Sequence, residues 1–279
     1  MKKGIIFDKD GTLLDFEAFW LPVTEGTLSD LAGEFRVPGG AVQAAKKKLG
    51  VIAGRADRNG ALCMGTYASI AELIRAAFAA FGAEAGEREM YGAVCRAFRD
   101  NLFRGEIIPT SPRLCEVLRN LKGGGCRLFV VTSDKEDGTR ACLEKLGVGD
   151  MFDGVYTDGM GYPAKPDPQI IGEIERSYSM GRESLAMVGD TRTDLLFARN
   201  GGIAGIGLAR GARERSLLSP LADAVVGDSG NLPATLKDLK AFLRGGQKRP
   251  PGKFFRGALF CGDKRRKTGA GRLLLFMKN

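Results

Sequence analysis

Along most of the chain, short apolar β-rich runs alternate with segments whose apolar positions recur at helical spacing, the pattern of βαβ units and a parallel sheet. Strands are expected at Gly4 to Asp8, Arg127 to Thr132, Gly154 to Thr157, Leu185 to Gly189, Ile203 to Leu208 and Ala224 to Val226. Several end in Asp, Thr or Gly, which puts polar groups at the carboxyl edge, where open α/β sheets bind ligands. Between them, Leu114, Val117, Leu118 and Leu121 share one helix face, with Ser111 expected as N-cap, Pro112 in the first turn and glycines from Gly123 to end it. A second helix runs through Asp167, Pro168, Ile170, Ile171, Ile174 and Tyr178, and a third covers Ala141 to Leu146 and stops at Gly147.

Residues 16–105 break the alternation. No convincing strand occurs there, while Ile70, Leu73, Ile74, Ala77, Phe78 and Phe81 form one helical stripe and Tyr91, Val94, Cys95, Phe98 and Leu102 another. Such stripes are read as helix-on-helix core. The segment is expected to be a small helical domain inserted after the first strand, hinged near Asp15 and Glu106 to Pro109, with residues 1–15 and 106–244 forming the α/β core.

Composition adds exclusions. With 279 residues, 44% of them hydrophobic and 27% charged, the chain can bury a sizeable core without staples. It contains no histidine, which removes Ser-His-Asp and Cys-His machinery and histidine-ligated metals together. Six cysteines without a C-x-x-C pair argue against a zinc site or disulfide framework and are read as reduced, mostly core thiols. The absence of a long apolar run or signal-like start leads to the expectation of a cytoplasmic protein with no membrane span. The net charge of +9 belongs to the end of the chain: residues 245–279 carry ten Lys/Arg against Asp263 alone, leaving the remainder neutral. This glycine-rich basic tail is expected to be disordered. Nucleic acid is not an expected partner except through it.

The chemistry concentrates at the strand ends. Ile5-Ile6-Phe7-Asp8-Lys9-Asp10-Gly11-Thr12 delivers two carboxylates at the end of a buried strand, with Gly11 free to turn the chain. Carboxylates this close repel, so either one stays protonated or a cation and a lysine sit alongside. Val131-Thr132-Ser133 ends a strand with hydroxyls and free backbone N–H groups, a cradle for an anion. Lys165 lies in Ala164-Lys165-Pro166-Asp167-Pro168, where proline stiffens the approach to a helix. Gly189-Asp190-Thr191-Arg192-Thr193-Asp194 adds two carboxylates, hard ligands suited to Mg²⁺. Taken singly, each aspartate could be a helix cap and Lys165 a solvated charge, and Arg192 is read as surface. Together they make a phosphoryl-transfer site.

These four segments, in this order, resemble the motifs of the haloacid dehalogenase (HAD) superfamily, over about residues 4–228. The insertion, the Phe152-Asp153 pair and Lys165-Pro166-Asp167-Pro168 resemble its phosphoglycolate-phosphatase-like branch with a helical type-one cap. The implied architecture is α/β, a Rossmann-like doubly wound parallel sheet core with an inserted α-helical cap domain. The implied activity is Mg²⁺-dependent hydrolysis of a small phosphorylated metabolite. Asp8 would form an aspartyl-phosphate and Asp10 would act as acid and base. Asp8, the Asp10 backbone carbonyl and Asp190 would hold Mg²⁺, Asp194 would steady Lys165 or metal waters, and Thr132 and Lys165 would bind the phosphoryl oxygens. Lys9, Phe16 and Ser133-Asp134 depart from the residues common in relatives.

The carboxylic acid at Asp10 sets the chain apart from the dehalogenases themselves, which lack one there. Lys46 to Lys48 read as a solvated helix face, not as the amine nucleophile of phosphonate-cleaving relatives. A sugar-phosphate mutase on the same core stays open, as does a non-hydrolytic phospho-acceptor module. For the substrate, Gly54-Arg55-Ala56-Asp57-Arg58 offers the cationic groups of the insertion that could meet an anionic leaving group, so Arg55 and Arg58 are candidates to bind it.

Overall fold

The computed structural model describes residues 3–227. The basic segment 245–279, Cys261 and residues 228–244 of the expected core lie outside the described residues.

Six strands, β1 (Lys3–Phe7), β4 (Cys126–Lys135), β5 (Gly154–Asp158), β6 (Leu185–Gly189), β7 (Ala204–Leu208) and β8 (Ala224–Val226), form one parallel sheet in the order β5-β4-β1-β6-β7-β8. Counted along the sheet-forming strands this is the order 3-2-1-4-5-6, a doubly wound Rossmann-like arrangement. The first strand occupies the middle. Its Ile6 lies level with Phe129 on one side and Met187 on the other. Successive residues point to opposite faces, so Ile5, Phe7, Leu128, Val130, Ala186 and Val188 pack beneath α6 (Leu114–Gly123). Ile6, Phe129, Val131 and Met187 pack against α8 (Gln169–Tyr178) and α9 (Arg192–Asn200). Both faces are covered, which is why the strands read as continuous apolar runs.

Between β1 and β4 come α1 (Phe16–Glu34), α2 (Gly39–Leu49), a hairpin of β2 (Val51–Ile52) and β3 (Arg55–Ala56), then α3 (Ala61–Met64), α4 (Tyr67–Ala79) and α5 (Glu87–Asn101). They share a core built on Phe19, Trp20, Val23, Ile74, Phe78, Val94 and Phe98. Asp15 caps α1, its side chain accepting from the Ala18 N–H at 3.1 Å, and the helix then buries residues on most sides, Thr24 and Thr27 included. The remaining helices are α7 (Glu136–Lys145) and α10 (Ala212–Leu218). Among the described residues no helix is long and apolar enough to cross a membrane.

Several local expectations are corrected. α6 begins at Leu114, because Ser111 and the two residues after it form a turn in which the Ser111 carbonyl accepts from Leu114 N–H. β4 continues through Thr132 to Lys135, with a register shift against β5 after Val131. α4 stops at Ala79, so Phe81 lies past the helical projection and is 43% exposed. Tyr91 falls at the edge of the α5 stripe and is also exposed. The insertion does contain strands, the two-residue pair closed by Ala53 and Gly54, both at positive φ, a turn that matches strand twist. Of the five described cysteines only Cys142 is buried. Lys46 is half-buried beside Glu25, while Lys47 and Lys48 are exposed.

Candidate active site

The carboxyl ends of β1, β4 and β6 meet on one rim of the sheet, where the winding direction reverses next to β1. Asp8 follows β1 directly, and its N–H donates to the Val188 carbonyl at 2.9 Å, so adjacent-strand pairing fixes where the side chain emerges. Gly11 then turns the chain at φ +83°, and a Cβ on it would lie 2.2 Å from Asp190 Oδ2. Only glycine satisfies both demands. A Cβ on Gly189 would come within 2.3 Å of the Asp194 side chain, so this residue too lets the carboxylates draw together.

Thr191 caps α9, and Asp194 at the third helical position reaches back, its Oδ2 accepting from the Thr191 hydroxyl at 2.6 Å and N–H at 3.1 Å. This reciprocal capping box was visible in the spacing Thr191-x-x-Asp194. It leaves Asp194 Oδ1 to accept from Lys165 Nζ at 2.7 Å, and the same ammonium donates to Asp8 Oδ1 at 2.7 Å. Lys165 therefore bridges two strand ends. Burial works against its charge, but Asp194 and Asp8 outweigh that and hold it protonated.

Asp8, Asp190 and Asp194 each offer an oxygen within 4.8 Å of the others, and all three are buried. Burial pushes the Asp8 carboxyl well above its ordinary range; Lys165 opposes this, and Asp194, Asp190 and Asp10 add to it. Burial likewise pushes Asp190 up to about 7, with Arg58 pulling down and Asp194 pushing up. Asp190 Oδ1 is buried without a hydrogen-bond partner. Crowded anionic oxygens with an unpartnered donor atom fit a hard divalent cation.

Around this centre a pocket is lined from the sheet by Asp8, Asp10, Thr132, Ser133 and Lys165, and from the inserted helices by Phe16, Trp20, Cys63, Tyr67 and Phe98 among others. The fold thus brings together Asp8, Asp10, Thr132, Ser133, Lys165, Asp190 and Asp194. Of the two arginines, Arg58 enters the site: its Nη1 lies 3.0 Å from Asp190 Oδ2 and its guanidinium 5.2 Å from the Phe16 ring centroid. Arg55 does not. Its side chain is 80% exposed and faces Glu17 at 3.6 Å, because the β2–β3 hairpin turns it outward. The Asp10 carboxyl sits apart from the other three, held by Lys9 at 2.7 Å, and burial raises its pKa while Lys9 works against the rise. Tyr67 is not legible in the sequence as a site residue, whereas Asp134, beside Ser133, reads there as added negative charge near the site. They join the pocket wall through the hydrogen bond from Tyr67 Oη to Asp134 Oδ1 at 3.2 Å.

A family model for haloacid dehalogenase-like hydrolases matches residues 2–202. The chain belongs to that family, in its phosphoglycolate-phosphatase-like branch. Among curated HAD relatives, a probable phosphatase, IndB, of Dickeya dadantii is 30% identical over 234 residues, covering 82% of this chain and 90% of that protein. A phosphoglycolate phosphatase of Caulobacter vibrioides is 27% identical over 225 residues, covering 80% and 85%. The fold agrees with solved HAD structures. A predicted phosphoglycolate phosphatase from Haemophilus somnus superposes with a TM-score of 0.64 at 20% identity, over 84% of this chain and 98% of that one. A putative beta-phosphoglucomutase from Thermotoga maritima gives 0.61 at 19%, over 85% and 99%.

Proposed function

We propose that the protein is a Mg²⁺-dependent phosphatase that hydrolyses small phosphate monoesters through a phosphorylated Asp8, with residues 16–105 acting as a cap over the core formed by 1–15 and 106–244. One observation carries the reading: a buried aspartate at the end of the central strand, bridged by a lysine, inside a cluster of carboxylates too crowded to be charged alone. Asp8, Asp190 and the Asp10 backbone carbonyl would hold the cation, which supplies positive charge to the phosphate and to the crowded carboxylates.

The Asp8 carboxylate attacks phosphorus, forming an O–P bond as the bond to the leaving oxygen breaks. Asp10, whose carboxyl burial raises above its ordinary range, gives a proton to that oxygen, and the alcohol departs. Asp10, now ionised, takes a proton from water as the water oxygen attacks the phosphoryl group. Inorganic phosphate leaves and Asp8 is regenerated. Lys165 and the Thr132-Ser133 segment receive the phosphoryl oxygens, and the apolar wall of Phe16, Trp20 and Phe98 keeps bulk water from the intermediate.

The test is turnover of p-nitrophenyl phosphate, with acid quenching during the steady state. Many turnovers per enzyme, dependent on Mg²⁺, with acid-stable label on Asp8 are expected; a single stoichiometric phosphorylation without turnover would instead identify a phospho-acceptor module.

Metal binding should follow the carboxylates. In the fold Asp190 ionises only near pH 7, against an ordinary value of 3.8. Between those values the unfolded chain gives up its proton first, so the metal-free fold loses stability as pH rises through that window. Mg²⁺ must displace the proton at pH 5.5 but meets a charged, repelling cluster at pH 8. Millimolar Mg²⁺ is therefore expected to raise the melting temperature more at pH 8 than at pH 5.5. Equal shifts at both would place the ion elsewhere.

For the substrate, Arg58, at Asp190 and beside the pocket residue Phe16, suits a leaving group carrying a carboxylate, as in the phosphoglycolate of the relatives' names. Replacing Arg58 by Ala should lower kcat/KM for phosphoglycolate by about tenfold or more, the worth of one charge-assisted contact, with little change for an uncharged ester. Arg55→Ala should change neither.

A further inference from the structure

Lys9 is the least expected side chain of the site, an ammonium between two motif aspartates with 0% exposure. Its Nζ lies 2.7 Å from Asp10 Oδ1 and 3.1 Å from Asp134 Oδ2, and 5.3 Å and 5.7 Å from the ring centroids of Phe19 and Trp20 on α1. A buried ammonium persists only where charge and dipoles replace its water. Two carboxylates and two aromatic faces do so here. Asp134 is itself anchored: its Oδ1 accepts from the Lys135 N–H at 2.7 Å and from Tyr67 Oη at 3.2 Å, and Tyr67 packs edge-on to Phe98. The two departures from the family pattern at Lys9 and Asp134 are thus one feature, a pair in which each charge answers the other.

The partners of Lys9 line the pocket, Asp10, Asp134 and Trp20 among them, but Lys9 does not. It stands behind Asp10. We infer that Lys9 is a positioning residue, whose ammonium fixes the Asp10 carboxyl in the orientation that delivers a proton to the leaving oxygen. This rests on the acid role given to Asp10 above. Without Lys9 the carboxyl loses the hydrogen bond that holds its Oδ1 and can swing. Proton transfer demands placement at hydrogen-bond distance, and a displacement of an ångström is enough to cost about 100-fold.

A structural role alone would be to neutralise Asp134, and the double variant Lys9→Met/Asp134→Asn separates the two. Methionine fills the lysine's length against the rings, and asparagine keeps the oxygen that accepts from Tyr67 and Lys135, so no charge is stranded. The readout is kcat/KM, which ends with departure of the alcohol. An alkyl oxygen needs the proton from Asp10, whereas p-nitrophenolate leaves without one. With Mg²⁺, the double variant should lose about 100-fold on the best alkyl ester of a phosphate panel and less than about fivefold on p-nitrophenyl phosphate. Asp134→Asn alone, with Lys9 still on Asp10, should keep the wild-type ratio of the two. Equal losses on both esters, no loss on either, or the same alkyl-selective loss in Asp134→Asn alone would overturn the assignment. Failure of the underlying reading shows separately, as a wild type that turns over neither ester or an Asp8→Asn variant as fast as wild type, and either takes this role of Lys9 down with it.

Discussion

Asp8→Asn is expected to abolish turnover, lowering kcat by at least about 10⁴-fold, the scale on which enzymes lose rate when the covalent nucleophile is removed. The amide has nearly the shape of the carboxylate and can still accept from Lys165, so lost activity cannot be blamed on a collapsed site. Its nitrogen and oxygen are too weakly nucleophilic to displace an alkoxide. The same substitution should make the metal-free protein melt higher at pH 8. The Asp8 carboxyl is pushed upward by burial and by Asp194, Asp190 and Asp10, more than Lys165 pulls it down, so it costs the metal-free fold stability once the pH rises past the ordinary carboxylate range. An inactive protein that is more heat-stable is the signature of a side chain kept for chemistry at the expense of the fold. Steady-state hydrolysis of p-nitrophenyl phosphate and a thermal melt in chelator check both halves. A rate close to wild type would move the nucleophile elsewhere.

Lys165→Met is expected to fail in the opposite way, losing stability as well as rate. Lys165 donates to Asp8 and Asp194, and its removal leaves three buried carboxylates whose oxygens lie within 4.8 Å of one another. Breaking a buried charge pair by deleting one partner costs about 3–5 kcal/mol. That loss should be read in urea titrations of the metal-free protein at pH 8. It should shrink at pH 5.5, where Asp190, pushed up to about 7 by burial, takes up a proton and ceases to repel. In Mg²⁺ the protein should fold but show kcat/KM reduced by about 10²- to 10³-fold, the usual price of removing a group aimed at transition-state charge. Identical urea midpoints for variant and wild type at pH 8 would show that Lys165 does not hold the cluster together.

Both predictions concern residues that the sequence marks, and the physical reason is that sheet edges are periodic. A strand with both faces buried is a solid apolar run, so the polar residue that ends it stands out, as Asp8 and Asp190 do. What the sequence does not carry is three-dimensional direction. Arg55 and Arg58 are three residues apart in one loop, and only the twist of a two-residue hairpin decides that one meets solvent and the other Asp190. Lys9 has no neighbour in the chain that announces a buried ammonium; its answering charge, Asp134, lies on another strand and looks by itself like an unwelcome anion. α1 hides for a related reason, since burying Thr24 and Thr27 along with Trp20 and Leu28 leaves no single apolar stripe to detect. Phe81 shows the reverse error, a pattern extended two residues beyond the point where the helix stops.

The middle place of β1 also bears on how the chain is made. Its hydrogen-bonding edges are satisfied by Cys126 to Val130 on one side and Leu185 to Val188 on the other, so both partners of β1 are made well after it. The inserted helices, rich in local contacts, can form meanwhile, whereas Ile5-Ile6-Phe7 must wait as an unpaired sticky ribbon until β4 is made. Seating Asp8 at the heart of the sheet thus carries a kinetic cost, because the strand that presents it stays exposed until partners from later in the chain arrive.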